Sequence, residues 1–178
     1  MNVLTNRNNT DKISSTLKKM LGDKKYFVLP VGTYRQTSVW TCGPTALKIV
    51  LNYFGKDLSE SYLAKLSKTT KSGGTNPSDL VKVAKQFGLY AKDKQNLTVL
   101  EVKKNIKSGN LIIANYQYTP KFGDGHYAVI IGYDKNKFIL SDPANDSGYV
   151  IVKISDFIKL WYELEDKTVR QGIIINFK

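Results

Sequence analysis

The sequence contains one cysteine, Cys42, and one histidine, His126, and both lie among residues suited to thiol chemistry. Gln36 precedes the cysteine by six residues (42 − 36), and Asp142 follows the histidine by sixteen (142 − 126). A thiolate that attacks a carbonyl carbon needs a base, a group that orients the base, and donors for the oxyanion. These four residues supply one candidate for each role. The sequence therefore predicts a cysteine hydrolase.

The residues around Cys42 predict that it begins a helix. An apolar stripe at helical spacing runs from Leu47 to Phe54, and Gly55 is a natural stop. Thr41 is an acceptable N-cap, and Pro44 is tolerated in a first turn. At this end the helix dipole favours the thiolate over the thiol. A lone cysteine is usually a small buried hydrophobe, but a cysteine that only packs has no need of this position.

His126 is predicted to lie at the rim of a sheet, because it follows Phe122–Gly125 and opens an apolar strand. The glycines there leave space for an approaching backbone. Asp142 ends the next strand, and Pro143 holds the chain extended at that point. A hairpin between the two strands would bring Asp142 beside His126, where a carboxylate fixes the imidazole tautomer. Alone, Asp142 would be interpreted as a turn residue.

Length and composition indicate a single globular domain. The chain has 178 residues, of which 42% are hydrophobic and 11% aromatic, and these values exclude a disordered chain. One cysteine allows no internal disulfide and no thiolate-rich metal site, and we predict neither cofactor nor metal. No segment reaches the ~20 apolar residues of a membrane helix. The polar N-terminus lacks the apolar part of a signal peptide, so we expect a cytoplasmic protein.

The net charge of +12 raises nucleic acid, acidic membranes and acidic peptides as partners. However, the chain has 24 lysines and 3 arginines, which are scattered in ones and twos without a continuous basic helix. This distribution is typical of a solvated lysine surface. The predicted partner is therefore a peptide or protein substrate, and no specific nucleic acid.

The order of the elements predicts an α+β fold. Residues 1–25 are predicted to form a loose arm, with a short helix around 13–21, and residues 26–178 to form one domain. The section from Val28 to about Leu97 is mainly helical, and strands follow from Leu111. The cysteine lies in the helical half and the histidine and aspartate in the sheet half, so the site is a cleft between them. Further helices are predicted at 59–67, 77–87, 98–108 and 156–164, and strands at 111–116, 127–133, 138–141, 149–154 and 172–177.

Four segments of the chain together resemble a known family. Gln36–Gly55, Gly74–Gly88, His126–Tyr133 and Ser141–Ala144 resemble the papain-like peptidases of cysteine family 39. These are bacteriocin leader peptidases fused to export transporters, together with their stand-alone relatives. The resemblance extends over roughly residues 31–177, and its most specific elements are the combinations Gln–Cys-Gly-Pro and His-Tyr–Asp-Pro.

The resemblance implies a papain-like fold, in which an N-terminal helical half carrying the cysteine packs against a C-terminal antiparallel sheet. It implies that Cys42 is the nucleophile, His126 the base and Asp142 its orienting group. It also makes Gln36 an oxyanion donor together with the Cys42 backbone N–H. One departure is Thr41, because transporter-fused members commonly carry an acidic residue directly before the cysteine.

The resemblance also implies a substrate: a leader or precursor peptide that is cleaved after Gly-Gly, where only glycines pass a narrow cleft. We predict that Gly43, Gly125 and Tyr127 contact it, and an export transporter becomes a candidate partner. The chain has its own Gly73–Gly74 pair. We interpret that pair as part of a turn before a helix and not as a self-cleavage site.

Two other classes of function stay open at this stage. The first is a thiol acyltransferase or amidohydrolase that uses the same residues on a non-protein amide. The second is a catalytically idle domain that binds a peptide, or a basic domain that binds nucleic acid. Pseudoenzymes typically lose the nucleophile or the base, and this chain keeps both. Trapping Cys42 with a peptide aldehyde separates enzymes from binding modules, and product analysis with an added amine separates the peptidase from the acyltransferase.

Overall fold

The computed structural model describes residues 14–22, 25–119, 125–163 and 167–177. Its helices are α1 (Ser15–Leu21), α2 (Cys42–Tyr53), α3 (Glu60–Leu66), α4 (Pro77–Gln86), α5 (Val99–Lys107) and α6 (Ile154–Leu160). Its strands are β1 (Phe27–Val28), β2 (Leu89–Lys94), β3 (Leu111–Gln117), β4 (Gly125–Tyr133), β5 (Lys137–Ser141), β6 (Tyr149–Lys153), β7 (Tyr162–Glu163), β8 (Thr168–Val169) and β9 (Gln171–Phe177). The predicted α+β arrangement is confirmed.

Seven of the described strands form one antiparallel sheet in the order β2-β9-β3-β4-β5-β6, with β1 paired to β4, and β7 and β8 form a separate two-stranded sheet. Strands β3 and β4 lie at its centre, and every residue of β3 is buried. The β4–β5 hairpin predicted from the turn at 134–137 is confirmed, because Asp134 Oδ1 accepts the N–H of Lys137 at 2.6 Å. This hairpin is the connection that carries the chain from His126 to Asp142.

Helices α4 and α5 start where the sequence predicts, because their caps are local. Asn76 accepts the Ser78 N–H at the start of α4 with Pro77 in the first turn, and Thr98 and Glu101 form a capping box on α5. Helix α2 packs against β4, and its inward side chains, such as Leu47 and Val50, are completely buried. This packing fixes the start of α2 over the end of β4 that carries His126.

Several elements differ from the sequence prediction, and the short strands β1, β7 and β8 were not predicted. Strand β2 lies in the section that was predicted to be mainly helical; it buries only Leu89 and Ala91, so its apolar pattern is weak. The helix predicted at 156–164 is wrong at both ends, because α6 covers Ile154–Leu160 with Lys153 at the N-cap, and Tyr162–Glu163 form β7. In the arm predicted for residues 1–25, residues 15–21 are helical and two leucines of α1 are buried, while residues 1–13 lie outside the described part.

Candidate active site

Cys42 is the first residue of α2 and is 7% exposed. The helix starts here without a side-chain cap, because the Thr41 hydroxyl turns back and donates to the Ser38 carbonyl at 2.8 Å. In the first turn, the Cys42 and Gly43 N–H groups have no acceptor inside the helix, because Pro44 has no N–H and the Thr45 N–H donates to the Thr41 carbonyl at 3.0 Å. This terminus combines a thiol with two backbone donors and a favourable dipole.

His126 lies on β4 directly opposite Tyr116 of β3. Its Nε2 atom is 2.7 Å from Asp142 Oδ1, and its ring also forms a hydrogen bond with the Cys42 side chain. Since Nε2 is engaged by the carboxylate, Nδ1 is the ring nitrogen left for the sulfur. The structure therefore brings Cys42, His126 and Asp142 together, with a direct hydrogen bond between the histidine and the aspartate. The imidazole thus lies where helix α2 of the helical half approaches strand β4 of the sheet half.

Asp142 is almost completely buried, and its oxygens are occupied by several donors. Oδ1 accepts the Ala144 N–H at 2.9 Å as well as the histidine, and Oδ2 accepts the Tyr116 hydroxyl at 3.3 Å. Burial by itself raises the pKa of Asp142, but the hydrogen bond and charge of His126 and the other donors lower it overall. The carboxylate is therefore charged at neutral pH and can hold the imidazole in one orientation.

The imidazole of His126 is held in its charged form. Burial lowers the pKa of His126, but hydrogen bonds with Asp142 and Cys42, together with the charges of both, raise it to about 9. Two tyrosine rings enclose the histidine edge-on, with centroid distances of 5.6 Å for Tyr116 and 5.1 Å for Tyr118. An imidazolium between a carboxylate and a thiol is the arrangement that stabilises a thiolate.

This electrostatic arrangement predicts an abnormal titration of the histidine. We expect the imidazole carbon-bound protons to titrate with a midpoint near 9 in the wild-type protein, above the ordinary ~6.5. Because His126 is the only histidine, NMR spectra of the untagged protein report it without ambiguity. The midpoint should fall in Asp142→Asn, which removes one charge that favours the imidazolium. Asp146→Asn, which changes an exposed carboxylate four residues away, is the matched control and should leave it unchanged. A wild-type midpoint near 6.5 would contradict the assigned pair.

Gln36 lies in the segment that approaches the site from the other side. Its backbone N–H donates to the Pro143 carbonyl at 3.0 Å, directly after Asp142. Its side-chain Nε2 donates to the Ser38 carbonyl at 2.9 Å, and its Oε1 is buried without a hydrogen-bond partner. An amide nitrogen carries two hydrogens, so one donor of Gln36 remains for a ligand. Its role as an oxyanion donor stays a prediction.

Residues 31–36 run along the loop that carries Asp142, and several contacts join the two. The bonds run from Ser141 Oγ to the Gly32 carbonyl (3.0 Å), from Tyr149 Oη to the Val31 carbonyl (2.9 Å) and from Arg35 Nη1 to the Ala144 carbonyl (2.9 Å). Gly148 is required in this loop, because its φ is +74° and a Cβ there would lie 2.5 Å from Thr33 Cβ. The loop after β5 thus supports both Asp142 and the approach to Gln36.

The three predicted substrate contacts have different surroundings. A Cβ on Gly43 would lie 2.8 Å from Thr75 Cβ and 3.3 Å from Tyr127 Cδ2, so glycine allows the two side chains to approach α2. Tyr127 is buried, and its hydroxyl donates to the Thr75 carbonyl at 3.0 Å. Gly125 is exposed at the start of β4, opposite Gln117. As substrate contacts, all three residues stay predictions, and the preceding Phe122–Asp124 lies outside the described part.

Sequence reasoning missed Tyr116, Tyr118 and Glu60 as neighbours of the site. Tyr116 could have been predicted, because β3 and β4 are consecutive strands and their pairing places the end of β3 opposite His126. Tyr118 comes two residues later and is half exposed beside the imidazole.

Within the part of the chain that the structure describes, no group of three or more His, Cys, Asp or Glu side chains is arranged to hold a metal ion.

Comparison with known proteins agrees with this geometry. A family model described as "Peptidase_C39 like family" matches residues 28–169, which is most of the chain. The chain belongs to this family. A relative of comparable size is an uncharacterized protein of Methanothermobacter marburgensis; it is 30% identical over 78% of this chain and 89% of its own length. The predicted resemblance to family 39 is thus confirmed.

Other relatives of this Peptidase_C39 like chain are parts of larger proteins. The transport/processing ATP-binding protein ComA of Streptococcus pneumoniae is 30% identical over 67% of this chain, but the match covers only 16% of ComA. Two solved structures share the fold. They are a putative C39-like peptidase from Bacillus anthracis (TM-score 0.69, 19% identity, 87% of this chain and 99% of that one) and a double glycine motif protease from an AMS/PCAT transporter in complex with its leader peptide (TM-score 0.62, 20% identity, 83% and 92%).

The papain-like fold class predicted for the chain is confirmed by these matches, and the family and fold point to a cysteine peptidase. Among the described residues of this C39-like protein, none of the helices has both the length and the apolar character to cross a membrane.

Proposed function

We propose that this protein is a cysteine peptidase that cleaves a leader or precursor peptide after small residues such as Gly-Gly. The observation that carries the proposal is the His126–Asp142 hydrogen bond beside Cys42, which is the first residue of a helix and interacts with the imidazole. A buried core cysteine needs neither a charged imidazole nor a buried carboxylate behind it. Membership of the Peptidase_C39 like family supports the same activity.

In the first half of the reaction, the Cys42 thiolate attacks the scissile carbonyl carbon, and the carbonyl electrons move to oxygen. The Cys42 N–H and the Gln36 amide stabilise this oxyanion. When the C–N bond breaks, the His126 imidazolium gives its proton to the leaving amine. The products are a thioester on Cys42, a free amine and a neutral imidazole.

In the second half, the neutral His126 takes a proton from water, and the hydroxide attacks the thioester carbonyl. Collapse of the second tetrahedral intermediate releases a carboxylic acid and restores the thiolate–imidazolium pair. Asp142 stabilises the charged imidazole in both halves and does not itself accept the proton. The reaction consumes one water molecule and needs no cofactor.

Preference for glycine is supported by the relatives, one of which is described as a double glycine motif protease bound to a leader peptide. An export transporter as a separate partner belongs to the same proposal, because ComA joins transport and processing in one protein.

The test compares fluorogenic peptide amides that differ at the two residues before the cleaved bond. We expect kcat/KM for Gly-Gly to exceed that for Ala-Ala, and to exceed that for Leu-Leu by roughly 10²-fold, because each misfit in a tight pocket costs about 1–3 kcal/mol. Mass spectrometry of the products with and without added glycinamide separates hydrolysis from acyl transfer. Equal rates for Leu-Leu and Gly-Gly would contradict the specificity, and an amide as the main product would favour the acyltransferase.

A further inference from the structure

Glu60 connects the loop before Cys42 to helix α3. It is the first residue of α3, and its carboxylate contacts a loop residue 23 positions earlier in the chain. The Thr37 backbone N–H donates to both oxygens, at 3.1 and 3.3 Å, and the Thr37 hydroxyl donates to Oε1 at 2.7 Å. Hydrogen bonds to an ionised acceptor are stronger than neutral ones. Glu60 therefore accepts hydrogen bonds from both donors of Thr37, its backbone N–H and its hydroxyl.

The charge of Glu60 is maintained at this place. Partial burial raises the pKa of Glu60, but the hydroxyls of Thr41, Thr37 and Thr45 and the Thr37 N–H lower it overall. Thr41 directly precedes Cys42, and Thr45 lies one turn into α2. The carboxylate of Glu60 is therefore charged where it binds Thr37, in the loop that leads to Cys42.

Gln36, the residue before Thr37, forms a backbone hydrogen bond with the sheet half. The Gln36 N–H donates to the Pro143 carbonyl, in the loop that carries Asp142. Two consecutive backbone N–H groups, those of Gln36 and Thr37, are therefore held by the sheet half and by the helical half. The amide side chain of Gln36 leaves the backbone between these two attachments. Its position relative to Cys42 depends on both of them.

We propose that Glu60 is a positioning residue that acts through Thr37 to hold the Gln36 amide at the oxyanion. This inference rests on the proposed function, because it assigns Gln36 the role of an oxyanion donor. Glu60 does not touch the reacting atoms. Its loss leaves the Cys42–His126–Asp142 chain intact and weakens only the stabilisation of charge on the substrate oxygen. A displacement of about 1 Å at such a donor can cost up to roughly 10²-fold in rate.

Glu101 provides a matched control. It also lies in the first turn of a helix, α5, where an acidic side chain is favoured by the helix dipole. Its carboxylate accepts hydrogen bonds from Thr98 and contacts Lys94, and neither residue belongs to the loops of the site. Replacement of Glu101 therefore removes a comparable set of local contacts without an effect on Gln36.

Two probes of Cys42 separate positioning from general stability. Iodoacetamide alkylates the thiolate without forming an oxyanion, whereas a peptide aldehyde ending in Gly-glycinal forms a tetrahedral adduct whose oxygen uses the oxyanion donors. For Glu60→Ala we expect the aldehyde inhibition constant to rise about tenfold and kcat to fall about tenfold, with KM and the alkylation rate unchanged. Glu60→Gln keeps an acceptor for Thr37 and should retain most of the wild-type affinity. Glu101→Ala should leave both probes unchanged.

The outcomes are distinguishable. Wild-type aldehyde affinity in Glu60→Ala, or an equal loss with both probes, would overturn the inference while leaving the peptidase proposal intact. If Glu60→Ala does not fold, Glu60→Gln decides: an inhibition constant raised by as much as in Gln36→Ala would overturn the view that an acceptor at this position is sufficient. A wild-type protein that is neither inhibited by the aldehyde nor alkylated at Cys42 would refute the proposed function itself, and this inference with it.

Discussion

Replacement of Cys42 or of His126 by alanine is expected to reduce cleavage of a Gly-Gly peptide amide by roughly 10⁵- to 10⁶-fold, to the level of the background reaction. The first change removes the nucleophile, and the second removes both the group that stabilises the thiolate and the proton donor for the leaving amine. Because the two side chains act as one unit, the double variant should lose no more activity than either single variant. Asp142→Ala should be less severe, since this residue orients the base without taking part in bond-making.

The measurement is kcat/KM for the four variants with one substrate, together with thermal unfolding of each. The unfolding midpoint of Cys42→Ala should stay near that of the wild type, because the thiol makes a small contribution to the core. Losses that add in the double variant would contradict a coupled pair. Cleavage that persists in Cys42→Ala would remove Cys42 from the mechanism.

Gln36→Ala is expected to lower kcat by roughly 10²- to 10³-fold, which is the effect of one lost oxyanion donor. One hydrogen of the Gln36 Nε2 group is donated to the Ser38 carbonyl. This contact fixes the orientation of the amide and leaves its second hydrogen for the oxyanion. Gln36→Glu has nearly the same shape but presents an acceptor to the oxyanion, so it should be at least as impaired. KM should change little in either variant, because the interaction strengthens only as charge develops.

The rate at which iodoacetamide alkylates Cys42 serves as the control for Gln36→Ala, because alkylation needs no oxyanion donor. Its rate should equal that of the wild type. A variant that keeps the wild-type kcat and raises only KM would place Gln36 in ground-state binding and not at the oxyanion.

Much of the site could be predicted from the sequence, because its signals are local. The apolar stripe after Cys42 and the hairpin turn at 134–137 were sufficient to place the cysteine on a helix terminus and Asp142 beside His126. The capping box at Thr98–Glu101 identified α5 for the same reason. In each of these cases, residues within a few positions of one another determine the structure.

The contacts that the sequence did not reveal join distant segments. Strand β2 has few apolar residues and is fixed by pairing with β9, which lies about eighty positions later. Glu60 is an ordinary helix-start glutamate by its local pattern, and only the folded chain brings it to Thr37. Helix α6 lacks a side-chain cap and starts where β6 ends, so no local residue marks its first turn.

The long-range bonds between residues 31–36 and the loop after β5 have a consequence for the order in which the enzyme matures. Gly32 and Ser141 are 109 positions apart, and Val31 and Tyr149 are 118 apart. During synthesis on the ribosome, Cys42 therefore emerges long before its imidazole, and Gln36 long before the carbonyl that holds it. A nascent chain carries an unpaired thiol on an unsupported loop until the β5–β6 region has been made and has folded. The proposed thiolate–imidazolium pair can therefore form only after the β5–β6 region has folded, and we expect a shorter nascent chain to cleave no peptide.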